Sequence, residues 1–350
     1  MDQDAHGERV SVIVLNYNGA RWLKRCLESL HGQTIFRQLE IIVADNASPD
    51  GSEALAADLV KGWGNAQVIQ HGANLGFCEG NNRAARQSSG QWLLFLNNDT
   101  WLEPPCLERL LAQVVSAGAD AATPLVLNYE NEEFQSLGAT GFDCFGIATA
   151  RKRFSGTRDV FMPEGCSFLI RRRVFEDLGG FDPEFFMFAD ETDLSWRIWI
   201  AGHRAVGVPQ ARLHHRGAAN VNPVGGAGVA EFRTSDTKRF YANRNGLLVL
   251  LKNARHLLLL LAGLQLLLLA GEAAVSLVIV RRWSFVSRAY IAAIRDCWRL
   301  RHHVLAERKR LVTLRRRSDW WMLRFLRLRP NRWDELLRIR KMGLPKVGRS

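Results

Sequence analysis

The chain lacks both of the common glycine-rich phosphate cradles. No GxGxxG follows its first apolar run, and no GxxxxGKS or GxxxxGKT occurs anywhere. This argues against a dinucleotide Rossmann enzyme and a P-loop NTPase. Its six cysteines, at 26, 78, 106, 144, 166 and 297, form no CxxC pair and no even framework. They read as buried thiols in a reducing compartment. The opening residues, Met-Asp-Gln-Asp-Ala-His-Gly-Glu, are acidic and polar and lack the apolar core of a secretory leader, so the body is expected to face the cytosol. Acidic residues are scarce in the tail. Arg281 to Ser350 carries 21 Lys/Arg against 5 Asp/Glu, while the first 280 residues carry 26 against 30. A mildly acidic body with a basic tail predicts an anionic partner for the tail.

With 350 residues, 47% of them hydrophobic and 23% charged, the chain has room for one large domain plus an appendage, or for two domains. Val10–Leu15 and Leu39–Ala44 read as β-strands, Gln67–Gln70 as a short third, and Trp92–Leu96 as a fourth. Helical spacing appears at 20–31, after Ser52, in a short stretch ending near Ser89, and at 104–117; residues 74–82 read as a loop. Strands alternating with helices in this way predict a parallel sheet with right-handed crossovers. Three of the strands run into loops rich in Asn and Asp, at Asn16–Gly19, Asp45–Ser52 and Asn97–Asp99. In a parallel sheet those loops share one edge, where open α/β sheets bind ligands.

Trp92–Leu96 is apolar without a break and suits a strand buried on both faces. A carboxylate just beyond it, Asp99, is placed to hold a divalent cation with a substrate phosphate as co-ligand; the alternative is a plain Asn/Asp turn. Asp190 and Glu191 open a helix predicted over 191–201. The helix dipole there favours the ionised form that a general base needs, although an ordinary acidic cap has the same appearance. His214 and His215 follow a strand at 204–208, either structural or completing a metal site begun by Asp99.

These pieces together resemble family 2 glycosyltransferases of the GT-A fold, the branch that includes bacterial rhamnosyltransferases. The matching stretches are SVIVLNYNG (11–19), EIIVADNASPDGS (40–52), NLGFCEGNNRAA (74–85), WLLFLNNDT (92–100), GCSFLIRRRVF (165–175), GGFDPEFFMFADETDLSWR (179–197), LHHRG (213–217) and YANRNGLL (241–248), in the family's order. The resemblance implies an α/β, Rossmann-like nucleotide-sugar-binding domain with a mostly parallel central sheet over 1–250, followed by a helical, basic, membrane-associating or oligomerising tail over 251–350. It implies that Asp45 reads the pyrimidine base of a dTDP- or UDP-sugar, that Asn16 and Tyr17 lie beside that base, and that Asn74 lies in the third nucleotide-facing loop. The family's DxD motif is here Asn97-Asn98-Asp99, so Asn98 faces the nucleotide and Asp99 is the expected ligand of Mg²⁺ or Mn²⁺. His214 matches a histidine of the metal or diphosphate site, with His215 as its rival. Glu191 holds the place of the base, and Asp190 stays a candidate for it. The implied reaction is an inverting transfer of a sugar such as rhamnose to a lipid-linked saccharide of a cell-surface polysaccharide.

Leu257–Val280 is apolar enough to span a bilayer, which needs roughly 20 residues. A crossing, however, conflicts with a basic tail that should stay inside. It would also place Glu272 near the bilayer centre, at a cost of at least ~2.5 kcal/mol. A re-entrant, interfacial or packed helix is therefore expected at the cytoplasmic face of the plasma membrane. Within Ser318–Arg329, Trp320, Leu323, Leu326 and Leu328 alternate with Arg324, Arg327 and Arg329, an interfacial pattern; the alternatives are a homo-oligomer contact or packing on the body. Nothing resembles a base-reading module, so no nucleic-acid partner is expected. Two other functions compete. A non-catalytic sugar-nucleotide or membrane scaffold is one, given the single DxD carboxylate. A processive synthase is the other, disfavoured by at most one span and no QxxRW.

Overall fold

The computed structural model describes residues 8–217, 233–331, 340 and 346–348. In chain order the first elements are β1 (Val10–Asn16), α1 (Leu23–His31), β2 (Leu39–Asp45), α2 (Ser52–Leu59), β3 (Ala66–Gln70), α3 (Gly76–Arg86), β4 (Trp92–Asn97), β5 (Thr100–Leu102) and α4 (Cys106–Ser116). Then come β6 (Ala121–Asn128), β7 (Phe134–Ser136), β8 (Ala139–Phe142), β9 (Ala148–Arg151), β10 (Arg158–Asp159), β11 (Ser167–Arg171), α5 (Arg172–Asp177), α6 (Asp190–Ile200) and β12 (Ala205–His215). The C-terminal helices are α7 (Asp236–Asn253), α8 (His256–Val280), α9 (Trp283–Val286), α10 (Ala292–Arg299), α11 (Arg301–Leu314) and α12 (Asp319–Met322). Contacts divide the chain into two units. The first comprises residues 1–139, 151–186 and 203–219, and the second comprises 140–150, 187–202 and 220–350. The division therefore differs from a single boundary at residue 250, because α6 and the 140–150 segment pack with the C-terminal helices.

The first unit is built on a ten-stranded sheet whose main path is β10-β12-β6-β11-β4-β1-β2-β3. Strands β4, β1, β2 and β3 are parallel, as are β6 and β12, while β11 runs antiparallel between β4 and β6. Trp92, Leu93, Leu94, Phe95 and Leu96 are all buried, so β4 is covered on both faces as its unbroken apolar run predicts. On one face Phe95 packs against Phe175 and Phe181 at 4.9 and 4.8 Å. All six cysteines are free thiols and five are buried.

Residues 76–82, expected as a loop, belong to α3. Three asparagines and two glycines in Asn74–Asn82 make poor helix formers, but tertiary bonds override propensity. Asn82 donates to the Phe181 carbonyl at 2.7 Å and accepts from the Phe181 amide at 3.0 Å. Gly76 starts the helix at φ +73°, where a Cβ would strike Phe186.

In the second unit a buried ionic group joins α6 to α7. Asp193 accepts from Arg197 at 2.9 and 2.7 Å, from Asn253 at 2.8 Å and from Lys252 at 3.2 Å, with all four side chains buried. α8 is one continuous helix that buries Leu258, Leu261, Ala262, Gln265 and Leu269 and leaves most of its other apolar side chains exposed. Residues 318–329 form no continuous amphipathic helix: α12 is followed by a 3-10 turn at Leu323–Phe325. Trp321 and Phe325 pack on Trp199 at 5.7 and 4.7 Å, while Trp320 and Leu328 are exposed.

Phe95→Ala is expected to cost about 3–5 kcal/mol through transfer and cavity terms, read as a lower midpoint in urea unfolding.

Candidate functional site

Parallel register brings the polar strand ends of the first unit together. Asn16 at the end of β1 pairs with Asp45 at the end of β2, and Leu15 pairs with Asn97 on β4. The residues just past each strand thus meet on the carboxyl edge. Asp45 is buried. Its Oδ1 accepts from Asn16 Nδ2 at 2.7 Å and from the Ser48 hydroxyl at 2.6 Å, and its Oδ2 from the Ser48 amide at 2.9 Å. Asn16 Nδ2 also donates to Ser52 Oγ at 2.8 Å, while its Oδ1 accepts from Asn98 Nδ2 at 2.8 Å. Gly19 completes the arrangement, since a Cβ there would overlap Asn16 Oδ1 and Asn98 Nδ2. Asn46, buried beside Asp45, donates to the Gly76 carbonyl at 3.0 Å. Asn74 lies in the adjoining loop, accepting from the Gly76 amide at 3.0 Å, and Tyr17 is exposed. Asn16, Asp45 and Asn98 therefore form one hydrogen-bonded group, with Asn74 reached through Asn46.

Asp99 follows directly and lies 3.4 Å from His215 Nε2. Burial works against its charge, but His215, the local backbone amide and Arg216 outweigh burial and hold its carboxyl below the ordinary range. Burial likewise opposes charge on His215, yet the Cys166 sulfur and Asp99 raise its pKa well above 6.5. Asp99 is the carrier of formal charge here, because burial keeps the Cys166 thiol protonated. Gln135 Nε2 donates to the His215 carbonyl at 2.9 Å, and its Oε1 accepts from His215 Nδ1 at 3.2 Å. With its pKa raised, the ring turns Nδ1–H to Gln135 and Nε2–H to Asp99, and a bound cation would take the place of the Nε2 proton.

His214 turns the other way. β12 continues to residue 215 rather than ending at 208, and successive strand residues point to opposite faces. His214 stacks on Trp101 at 3.7 Å, donates from Nδ1 to the Asn128 carbonyl at 3.2 Å, and approaches Glu103 at 3.4 Å. The structure thus brings His215, not His214, to Asp99. No cluster of three or more His, Cys, Asp or Glu side chains able to hold a metal occurs among the described residues. One carboxylate oxygen and one imidazole nitrogen nevertheless form a donor pair suited to Mn²⁺ or Mg²⁺ when a ligand's oxygens complete the shell.

The second unit carries the carboxylate pair. Asp190 is buried at the start of α6 and shares a hydrogen bond with Glu191. Burial, and then the charge of Glu191, push the Asp190 carboxyl well above 3.8. Two non-glycine residues just before it, Phe188 and Ala189, sit in the left-handed region at φ +67° and +58°. Asn245 on α7 holds this segment by donating to the carbonyls of Met187 and Phe188 at 2.7 and 2.8 Å. Neither Asn245 nor Gln135 carried a motif role in the sequence reading. The YANRNGLL stretch marked Asn245 only as matching, and nothing marked Gln135.

A sheet with this order and a carboxylate at its carboxyl edge is the GT-A glycosyltransferase fold. The mannosyltransferase PcManGT of Pyrobaculum calidifontis, solved with GDP-Man and Mn²⁺, aligns with a TM-score of 0.53 at 18% identity over 83% of this chain and 87% of that one. Residues 11–179 match the family described as Glycosyl transferase family 2. It is 30% identical over 228 residues to the O-antigen biosynthesis protein RfbC of Myxococcus xanthus, covering 61% of this chain and 18% of that protein. It is 29% identical over 235 residues to the N-acetylglucosaminyl-diphospho-decaprenol L-rhamnosyltransferase of Mycobacterium tuberculosis, covering 59% of this chain and 75% of that one. The chain therefore spans less than a fifth of the first relative and three quarters of the second.

Two outcomes follow from this geometry. His215→Ala is expected to weaken Mn²⁺ binding at least about tenfold, whereas His214→Ala leaves it nearly unchanged, by electron paramagnetic resonance titration with UDP present. Because the folded-state pKa of Asp190 is raised, the stability it contributes is full below about 3.8 and is lost as pH rises through the folded value. Asp190→Asn, fixed in the neutral form, should keep its Tm at alkaline pH better than the parent; parallel Tm-against-pH curves would refute this.

Proposed function

We propose that this family 2 protein is an inverting glycosyltransferase that moves a sugar of the rhamnose type from a dTDP- or UDP-donor to a hydroxyl of a lipid-linked saccharide, at the cytoplasmic face of the membrane, in cell-surface polysaccharide synthesis. The observation that carries the reading is the hydrogen-bonded group of Asn16, Asp45 and Asn98 next to Asp99 on the carboxyl edge of the sheet. The naming of the mycobacterial relative supports the lipid-linked acceptor and the sugar.

In this reading Asp45, Asn16, Tyr17 and Asn74 receive the nucleoside, and Asn98 adjoins the diphosphate. Asp99 and His215 would hold the divalent cation, which when bound neutralises charge on the leaving diphosphate. Glu191 takes the proton of the acceptor hydroxyl, and that oxygen attacks the anomeric carbon from the face opposite the diphosphate. The C–O bond to the diphosphate breaks as the new one forms, which inverts the configuration. Asp190, biased toward the neutral acid, donates its hydrogen bond to Glu191 and keeps the pair at a single negative charge. Asn245 keeps the pair in place by fixing the backbone before it.

A thermal-shift screen of UDP- and dTDP-sugars with Mn²⁺ identifies the donor. Asp99→Ala and Glu191→Ala are each expected to abolish transfer. Asp45→Ala mainly weakens donor binding and, by leaving the Asn16 and Ser48 donors unpaired, costs about 1–3 kcal/mol of stability. Normal turnover by Glu191→Ala would overturn the base assignment. Donor binding with neither transfer nor Mn²⁺-dependent donor hydrolysis would favour the non-catalytic scaffold.

A further inference from the structure

Two adjoining clefts of the second unit concentrate positive charge at the start of the apolar helix α8. Their walls include Arg255, Arg308, Lys309, Arg315, Arg316 and Arg317, and among the described residues Asp319 is the one carboxylate that lines them. Asp319 is already committed. Its Oδ2 accepts from the amides of Arg255 and Leu258 at 2.8 and 3.3 Å, capping α8, and its Oδ1 accepts from Arg315 at 3.1 Å. Arg308 donates to the Leu251 and Ala254 carbonyls at 2.6 and 2.8 Å, and Arg315 donates to the Asn253 carbonyl. Both thereby cap the C-terminal end of α7. The carbonyl bonds fix Arg308 and Arg315 without cancelling charge, and Arg315 is in addition ion-paired to Asp319 at 3.1 Å. Burial and the neighbouring charge of Arg255 weaken the hold of Arg308 and Arg315 on their protons. Arg315 lines both clefts, its side chain is about nine-tenths buried, and its Nε finds no acceptor among the described residues.

Next to the clefts, α8 presents an uncovered apolar stripe. Leu257, Leu260, Leu264 and Leu267 recur at three- and four-residue spacing and are exposed by 39, 66, 42 and 71%. Trp320, on the cleft rim, is 73% exposed. A row of leucines and a tryptophan beside fixed arginines that outnumber the carboxylate lining the clefts matches one surface in both respects: hydrocarbon for the stripe and phosphate for the guanidinium groups.

We propose that these clefts bind the headgroup phosphate of anionic phospholipid while the Leu257–Leu267 stripe of α8 enters the adjacent acyl layer. This seats the protein through the 255–320 region rather than through 318–329 alone. The proposal rests on the membrane-surface part of the proposed function and not on the transfer chemistry.

The test is flotation of the full chain with phosphatidylcholine vesicles, with and without phosphatidylglycerol. The parent is expected to float only with the anionic vesicles. Lys309→Gln with Arg316→Gln, both exposed positions, should lower partitioning about thirtyfold at unchanged Tm. Leu260→Ser with Leu267→Ser should lower it too, while Arg37→Gln with Lys61→Gln on the first unit should not. Equal flotation with pure phosphatidylcholine, no flotation at all, or an equal loss from the first-unit pair would overturn the proposal. Displacement by inorganic phosphate at matched ionic strength would reassign the clefts to a soluble anion and overturn the lipid assignment. A protein that floats but transfers no sugar refutes the proposed activity and leaves this site standing; one that transfers but does not float refutes this site.

Discussion

Parallel pairing without a register slip puts the last residues of β1, β2 and β4 at one level, and the donor side of the site depends on that alignment. A shift of one residue would turn each side chain to the opposite face of the sheet. Because the register holds, Asn16 meets Asp45 and Asn98 meets Asn16, and three side chains far apart in sequence satisfy one another. Each is buried or partly buried, so a missing partner would leave an unmet polar group in a low-dielectric setting. The network is therefore a structural latch, and in the proposed function it is also the floor of the nucleotide site. Asp99, one step further along, escapes the latch and faces His215 instead.

The second unit solves a different problem, which is to present carboxylates that burial disfavours. Asp193 is satisfied by Arg197, Lys252 and Asn253 at the centre of the α6–α7 contact. Asp190, three residues earlier, is driven toward its neutral form by burial and by the charge of Glu191. Two aspartates on one helix thus serve opposite ends: one anchors the helix and the other tempers Glu191. The left-handed Phe188 and Ala189 ahead of α6 persist because Asn245 bonds the carbonyls of Met187 and Phe188.

The parallel half of the first unit was legible in the sequence because its strands are unbroken apolar runs stopped by Asn and Asp, a pattern with one economical explanation. Asp45, Asp99, Asp190 and Glu191 stood out for the same reason, as carboxylates at the ends of such runs or of a helix. The helix at 76–86 did not, since Asn82 spends its amide on Phe181, 99 residues away. Nor did β7 to β10, which are two to four residues long and carry no unbroken apolar run.

The sequence alone determined the order of elements, the burial of β4 and the set of carboxylates available for chemistry, because these follow from local pattern and residue type. Only the tertiary structure decided which histidine meets Asp99. His214 and His215 are identical in type and adjacent in sequence, and strand alternation sends one to Trp101 and the other to the carboxylate. It also decided the ionisation of Asp190 and the standing of Gln135 and Asn245. Those depend on distances between residues that no local pattern encodes.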